Sequence, residues 1–201
     1  MSVGKEATPN YAIIDSQSVK TTSKSEQRGF DGGKKVKGRK RHILVDTIGN
    51  LLGVVVHAGN IHDTKAGILV VNKVMKIYPS IQAISADAGY RKTFEKDVLD
   101  NYDIPVDIST KINGEWKIIP KRWIVERNFA WMNNFRRLTK DFEITVKSAE
   151  SFVKIAHIAQ ILRMLKMTEN ALTQSYCFGN DIIRIQREFD LLRILSLLSA
   201  P

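Results

Sequence analysis

Three acidic residues have the chemistry and the positions to form a metal site. Asp15 follows the apolar run 11–14, Asp87 follows the apolar run 81–86, and Glu126 lies in a stretch with the apolar spacing of a helix. Short runs with few charges are typical of buried strands, whose carboxyl-terminal ends present ligands to a crevice. Carboxylate oxygens are the ligands that Mg2+ prefers, and two ions about 3.5–4 Å apart can hold both reacting oxygens of a phosphoryl transfer. The three acids therefore predict a site that cuts phosphodiester bonds with Mg2+, or with Mn2+ in its place.

Each acid also has a simpler interpretation when it is taken alone. An aspartate after a strand is commonly a turn or helix-capping residue. A glutamate on a helix is commonly solvated and has no ligand to bind. The residue types by themselves leave the catalytic and the structural interpretations open for all three acids.

Composition and charge favour a globular protein with a polyanionic partner. The chain has 201 residues, of which 43% are hydrophobic and 26% charged, which is enough for one substantial core. A net charge of +10 raises the local concentration of polyanions such as nucleic acid. Cys177 is the one cysteine in the sequence, so the chain can form neither an internal disulfide nor a zinc site made of cysteines.

Several other functional classes lack their sequence patterns. The histidines, His42, His57, His62 and His157, do not have the close spacing of a zinc enzyme, and no glycine-rich string has the order of a phosphate loop. No apolar stretch approaches the roughly 20 residues of a membrane span. Because the first ten residues also lack the apolar centre of a secretory signal, the sequence predicts a cytoplasmic protein without a membrane partner.

The pattern of apolar residues predicts an α/β chain in the order βββαβαβα. Strands are predicted at 11–14, 39–47, 51–60, 81–86 and 105–109, and helices at 64–78, 93–102, around Glu126 and at 148–166. Asp63 is predicted to cap the first helix. The polar, glycine-rich segment 16–38 is predicted to be an exposed loop. Trp123 and Trp131 are expected to pack in the core or at the rim of the Glu126 helix, with base stacking as the alternative.

A dense run of positive charge lies between the first two predicted strands. Its members are Arg28, Lys34, Lys35, Lys37, Arg39, Lys40 and Arg41. Lysine and arginine contact phosphates and release condensed counterions, and the glycines among them let backbone amides approach a phosphate. We therefore predict that these seven residues bind DNA near the Asp15 end of the sheet. The alternative is a solvated face, which is the usual role of a charge run.

Four segments resemble, in order, the catalytic domain of bacterial insertion-sequence transposases that carry an Asp-Asp-Glu triad. They are AIIDSQSVKT, GGKKVKGRKRHILVDT, ADAGY and RWIVERNFAWMNNFRRLTKDFE, and the resemblance is specifically to the insertion sequence five group. The likeness covers roughly residues 8–167. Several long motifs in one order are much more specific than an isolated triad.

The resemblance implies a role for each acid and a fold for the domain. Asp15 would be the first acid of the triad, Asp87 the second and Glu126 the third. The implied fold is ribonuclease-H-like, a mixed five-stranded sheet with flanking helices, over residues 8–167. Residues 168–201 would form a tail with a helical pattern at 182–198. The implied activity is transposition, in which two Mg2+ ions first support nicking by water and then strand transfer by the freed 3′-hydroxyl.

The region around Glu126 matches the family signature only in part. Related transposases often carry Tyr-x2-Arg-x3-Glu-x6-Lys, where this chain has Ile119, Arg122, Glu126 and Asn133. The missing tyrosine and lysine put a hairpin-forming step in doubt. Arg122 and Glu126 are four residues apart, so on a helix Arg122 could hold a phosphate beside the metal-bound glutamate, or form a routine surface ion pair.

The resemblance also defines the partners and two rival functions. DNA, as element ends and target, is the expected substrate, and a homodimer within a transposition complex is compatible with it. Full-length proteins of this kind carry a helical DNA-recognition region upstream, which this sequence is expected to lack, so a product of an upstream reading frame is another candidate partner. One rival is a plain Mg2+-dependent nuclease. The other is a DNA-binding remnant or regulatory fragment of a transposase without activity.

Overall fold

The computed structural model describes residues 8–108 and 122–175, and in this part of the chain six strands form one mixed sheet. The strands are β1 (Tyr11–Lys20), β2 (Gly29–Asp31), β3 (Val36–Asp46), β4 (Leu51–Ala58), β5 (Ala83–Ala86) and β6 (Val106–Ile108). β3 pairs antiparallel with β1 on one side and with β2 and β4 on the other. β1 pairs parallel with β5, and β5 with β6. The sheet is therefore antiparallel in one half and parallel in the other.

Helices cover both faces of this sheet. They are α1 (Asp63–Met75), α2 (Thr93–Tyr102), α3 (Arg122–Asn133), α4 (Arg136–Thr139) and α5 (Val146–Ser175), and a single 3-10 turn spans Ala88–Tyr90. Successive strand residues point to opposite faces, so Ile14 packs in the core under α1 and α2, whereas Ile13 packs in the core under α3 and α5. A strand that is covered on both faces needs a continuous apolar run, which explains the sequence of β1. The α/β, ribonuclease-H-like prediction is confirmed.

Two local predictions were wrong. Segment 16–38 is not one exposed loop, because β1 continues to Lys20, β3 begins at Val36, and the short strand β2 adds to the five predicted strands. Ser18 on β1 donates a hydrogen bond to Asp31 on β2 at 2.5 Å. Polar residues whose sequence is typical of a loop therefore lie on strands and bind one another through their side chains. The cap of α1 is His62, whose side chain accepts from the Thr64 backbone, and not Asp63.

The C-terminal helix is longer than its sequence pattern indicated. α5 runs from Val146 to Ser175, whereas the prediction was 148–166. The predicted helix at 182–198 lies outside the described residues. Among the described helices, none is long and apolar enough to cross a membrane.

His157 joins α5 to the sheet and makes folding sensitive to acid. Its Nε2 accepts a hydrogen bond from the backbone N–H of Leu51 at 2.9 Å, at the start of β4. Burial lowers the pKa of His157 to about 4, and the negative charge of Asp46 opposes that shift only in part. The folded state thus disfavours protonation of the His157 ring. The contribution of neutral His157 to stability is complete above the unfolded pKa near 6.5 and is lost as the pH falls towards 4.

We expect the free energy of unfolding to fall by on the order of 1–2 kcal/mol through His157 alone when the pH drops from 7.5 to 5. Urea denaturation at the two pH values measures the loss in the parent protein and in His157→Gln, which cannot titrate. The variant should lose less stability between the two pH values. An equal loss in both proteins would assign the acid sensitivity to other groups.

Candidate active site

Asp15 lies within β1 and not at its end. The strand continues for five residues beyond it, and the backbone N–H of Ser16 donates to Asp15 Oδ1 at 2.7 Å. Burial, with a smaller contribution from the negative charge of Asp87, raises the pKa of Asp15 to about 6, while the Ser16 hydrogen bond and the charges of Arg122 and Lys34 oppose the shift. Another acid and two cations therefore influence the charge of this carboxyl group.

Asp87 follows β5 directly and reaches the same edge of the sheet as Asp15. In the parallel pairing of β1 with β5, Ile13 lies opposite Ser85, so Asp15 and Asp87 occupy equivalent positions two residues further along each strand. Asp87 Oδ1 caps the following turn by accepting from the backbone N–H of Gly89 at 2.8 Å. Its other oxygen is left to face α3. The capping interpretation and the site interpretation thus apply to different oxygens of one side chain.

Glu126 lies on α3, and Arg122 on the same helix connects it to Asp87. The Arg122 guanidinium contacts Asp87 Oδ2 through Nη2 at 3.4 Å and Glu126 Oε1 through Nε at 3.3 Å. Its positive charge also acts on Asp15. Arg122 therefore links Asp87 to Glu126, and its charge also influences Asp15, so acids from three different elements share one electrostatic environment.

The donor set of this group suits a divalent cation, but the carboxylates are not drawn together around one point. Within residues 8–108 and the described part after 122, no three side chains of His, Cys, Asp or Glu lie close enough to hold a metal ion. All three acids offer hard oxygen ligands, which Mg2+ and Mn2+ prefer. A positive charge already lies among them, on Arg122. The residues thus fit a divalent ion in their chemistry.

Four of the seven predicted DNA-binding cations are exposed. They are Arg28, Lys34, Lys35 and Lys37, on and around the hairpin that joins β2 to β3. Lys34 reaches towards the acids, because its Nζ donates to the backbone carbonyl of Ser16 at 2.9 Å. Asp31 fixes the turn of this hairpin by accepting from the backbone N–H groups of Gly33 and Lys34 at 3.0 and 3.1 Å. The exposed part of the basic run therefore flanks the acidic group.

The other three cations are buried, which contradicts the DNA contact predicted for them. The residues Arg39, Lys40 and Arg41 are 0%, 6% and 1% exposed. Arg39 pairs with the buried Asp141, Lys40 with Asp63 at 3.1 Å, and Arg41 donates to the Leu138 carbonyl. These residues lie on β3, which has strands on both sides and helices on both faces, so their side chains face other parts of the protein. We do not include them in the predicted DNA-binding surface.

A buried polar network behind Asp15 was not found from the sequence. Asp63 accepts from Ser16 Oγ at 3.1 Å, contacts Lys40, and lies 3.4 Å from His42 Nε2. His42 and Lys40 hold the pKa of Asp63 well below its usual range, against the opposing effect of burial. The network anchors the start of α1 to the residue after Asp15. Its signal in the sequence was the polar residues of β1 and β3 at alternate positions.

The two strand histidines belong to the same network. His42 Nδ1 and His57 Nε2 are 2.8 Å apart, and His57 Nδ1 lies 2.9 Å from the Ala58 carbonyl. Because a carbonyl can only accept, His57 Nδ1 carries a hydrogen. Burial, with a smaller contribution from His42, lowers the pKa of His57 to about 4, so His57 is neutral near pH 7 and its Nε2 accepts from His42 Nδ1. The satisfied, structural role predicted for the histidines fits His57, whereas His42 Nε2 has no hydrogen-bond partner among the described residues and lies 3.4 Å from Asp63.

The tryptophans of α3 lie at the rim of the protein. Trp123 is 47% exposed, and Trp131 is partly buried. The guanidinium of Arg127 stacks on both rings, 4.7 Å from the centre of Trp123 and 4.5 Å from that of Trp131, and donates to the Ile48 carbonyl. The stacked side chains of Trp123, Arg127 and Trp131 pack α3 onto the turn before β4. This agrees with the packing at the rim of the helix that the sequence predicted.

Comparison with known proteins places the chain in a family. Residues 7–160 match the family model described as a transposase DDE domain, and the chain belongs to this family. It is also similar to a protein of Burkholderia cepacia described as "Putative transposase for insertion sequence element IS402", with 27% identity over 126 residues. That alignment covers 59% of this chain and 60% of the relative, so the chain spans about three fifths of the relative's length. The family implies a divalent metal ion; the particular insertion-sequence group stays a prediction.

Proposed function

We propose that this chain is the catalytic domain of an insertion-sequence transposase, which cuts DNA at the ends of its element and transfers the freed strand to a target. The observation that carries the proposal is that Arg122 contacts both Asp87 and Glu126, while Asp15 lies on β1, which pairs in parallel with the strand that precedes Asp87. Membership of the transposase DDE family supports it. A polyanionic substrate agrees with the net charge of +10.

In this proposal the three acids are the metal ligands and the exposed cations hold the DNA. Two Mg2+ ions, when bound, supply the charge stabilisation that an in-line displacement at phosphorus needs. Asp15 has a pKa of about 6, so most of its population is ionised at neutral pH and competent to bind a cation. Lys34 lies beside Asp15 and would hold a backbone phosphate near the site. No covalent intermediate with the protein is required.

An assay for both cutting and joining tests the proposal. The substrate is a labelled duplex with the element's own end, and the reactions contain Mg2+, Mn2+ or a chelator. We expect nicked ends and strand-transfer products only with a divalent ion. Cutting without joining would support a plain nuclease. If neither ion supports cutting, the alternative of a DNA-binding fragment without activity would be favoured.

Replacing the exposed lysines of the hairpin tests the DNA surface. Lys34→Ala, Lys35→Ala and Lys37→Ala, combined in one variant, should weaken binding to any duplex to a similar degree, because contacts to phosphates carry no sequence information. The slope of log affinity against log salt concentration should become shallower by about 0.9 for each DNA phosphate that the variant no longer neutralises. Fluorescence anisotropy at several salt concentrations measures both effects.

The matched control removes three exposed lysines elsewhere, Lys76, Lys96 and Lys147. This variant loses the same net charge, so it reports the effect of charge without position. We expect its salt slope to stay close to that of the parent protein. If the two triple variants weaken binding equally, the hairpin is not a local DNA contact, and only the overall charge of the protein matters.

A further inference from the structure

Arg122 makes the contacts that a metal ion would have to replace. Its guanidinium contacts one oxygen of Asp87 at 3.4 Å and one oxygen of Glu126 at 3.3 Å. The Arg122 and Asp87 side chains are less than one third exposed, whereas Glu126 is 58% exposed. Since the second oxygen of Asp87 already caps the Gly89 turn, the oxygen that faces Arg122 is the one left for a ligand.

A divalent ion and the guanidinium compete for these oxygens. Mg2+ binds carboxylate oxygens at about 2.0–2.1 Å, and a neighbouring guanidinium at ion-pair distance repels it. The carboxylates repel one another when no cation is present, because like charges at short range disfavour ionisation of both groups. Arg122 supplies the compensating charge in the metal-free protein.

We propose that Arg122 is an internal counter-ion, which holds Asp87 and Glu126 in the metal-free protein and is displaced when a divalent ion binds. This inference rests on the proposed function, because it takes the acids as metal ligands. Arg122 is then a positioning residue that sets metal affinity. Competition between the side chain and the ion lowers the apparent affinity for metal, and it keeps the acids assembled before the ion arrives.

The competition predicts opposite effects of one substitution on two measurements. Arg122→Gln should bind Mn2+ more tightly than the parent protein, by roughly 3- to 30-fold if two partly exposed ion pairs are removed. The metal-free variant should melt at a lower temperature than the metal-free parent, and Mn2+ should raise its melting temperature by more. A residue with a purely structural role would lower the melting temperature without tightening metal binding.

Arg127→Gln is the matched control, because Arg127 lies on the same helix and its hydrogen bond goes to the Ile48 carbonyl. It measures the general effect of removing one positive charge from α3. Arg122→Lys is the second variant; it keeps the charge but lacks the fork that spans two carboxylates, so its Mn2+ affinity should lie between those of the parent and Arg122→Gln. Circular dichroism verifies that all variants are folded.

Calorimetric titration of the chain with Mn2+ alone, without DNA, distinguishes failure of the counter-ion proposal from failure of the proposed metal site. If the parent binds Mn2+ and Asp87→Asn does not, the acids are ligands and the proposed function stands. In that case, equal Mn2+ affinities for Arg122→Gln and Arg127→Gln overturn the counter-ion role by itself. If Asp87→Asn binds Mn2+ as the parent does, the metal site is overturned, and the counter-ion role with it.

Discussion

Asp87→Asn should abolish DNA cutting and joining while leaving DNA affinity unchanged or slightly higher. The substitution removes the negative charge from the oxygen that faces Arg122 and, in the proposed mechanism, removes a metal ligand. Loss of one directly acting group at such a site costs about 10²–10³-fold in rate or more. The exposed cations that we propose to hold DNA phosphates are untouched, and one negative charge, which would repel the DNA, is removed.

The fold should survive this substitution for a specific reason. Asp87 caps the following turn through Oδ1, and asparagine is as good a capping residue as aspartate. A loss of activity in Asp87→Asn therefore reports the chemistry and not the packing. Asp100→Asn, on the exposed surface of α2, is the control for removing a carboxylate elsewhere.

The measurement uses a labelled duplex that carries the element's own end. An active Asp87→Asn enzyme would remove Asp87 from the catalytic triad.

Arg39→Met should cost about 3–5 kcal/mol in the free energy of unfolding, because it leaves a buried carboxylate without its counter-ion. The guanidinium is fully buried, contacts Asp141 at 3.2 Å, and donates to the backbone carbonyls of Glu26, Glu143 and Ile144 at 2.6–3.1 Å. It thereby joins the loop before β2 to the segment before α5. Methionine fills a similar volume but satisfies none of these acceptors.

Two further variants identify the source of this loss. Adding Asp141→Leu to Arg39→Met should recover part of the stability, since the unpaired charge is removed together with its partner. Arg28→Met, an exposed arginine close by in the sequence, should change stability by no more than about 0.5 kcal/mol. Urea denaturation measures all three. If Arg39→Met resembles Arg28→Met, the buried ion pair does not contribute to stability.

The order of elements and the positions of the acids followed from local patterns in the sequence. The run before Asp15 and the run before Asp87 are both short and uncharged, as is typical of strands covered on both faces, so both strands and their order could be predicted. The helical spacing around Glu126 likewise identified α3. Burial patterns with a period of two or 3.6 residues are local, and a single sequence is enough to detect them.

Which charges are buried was decided only by the tertiary structure. Arg39, Lys40 and Arg41 belong to a basic run that resembles a solvated loop, yet their partners Asp141 and Asp63 are distant in the sequence. The contact of Arg122 with Asp87 likewise joins a helix to a strand end that comes much earlier in the chain. A charged side chain can be buried when it forms an ion pair with an opposite charge. Whether such a pair forms depends on how distant segments of the chain pack together. The periodicity of a sequence does not identify such pairs. The sequence therefore determined the order of the strands and helices and the positions of the acids. The tertiary structure determined which cations are buried and which remain exposed.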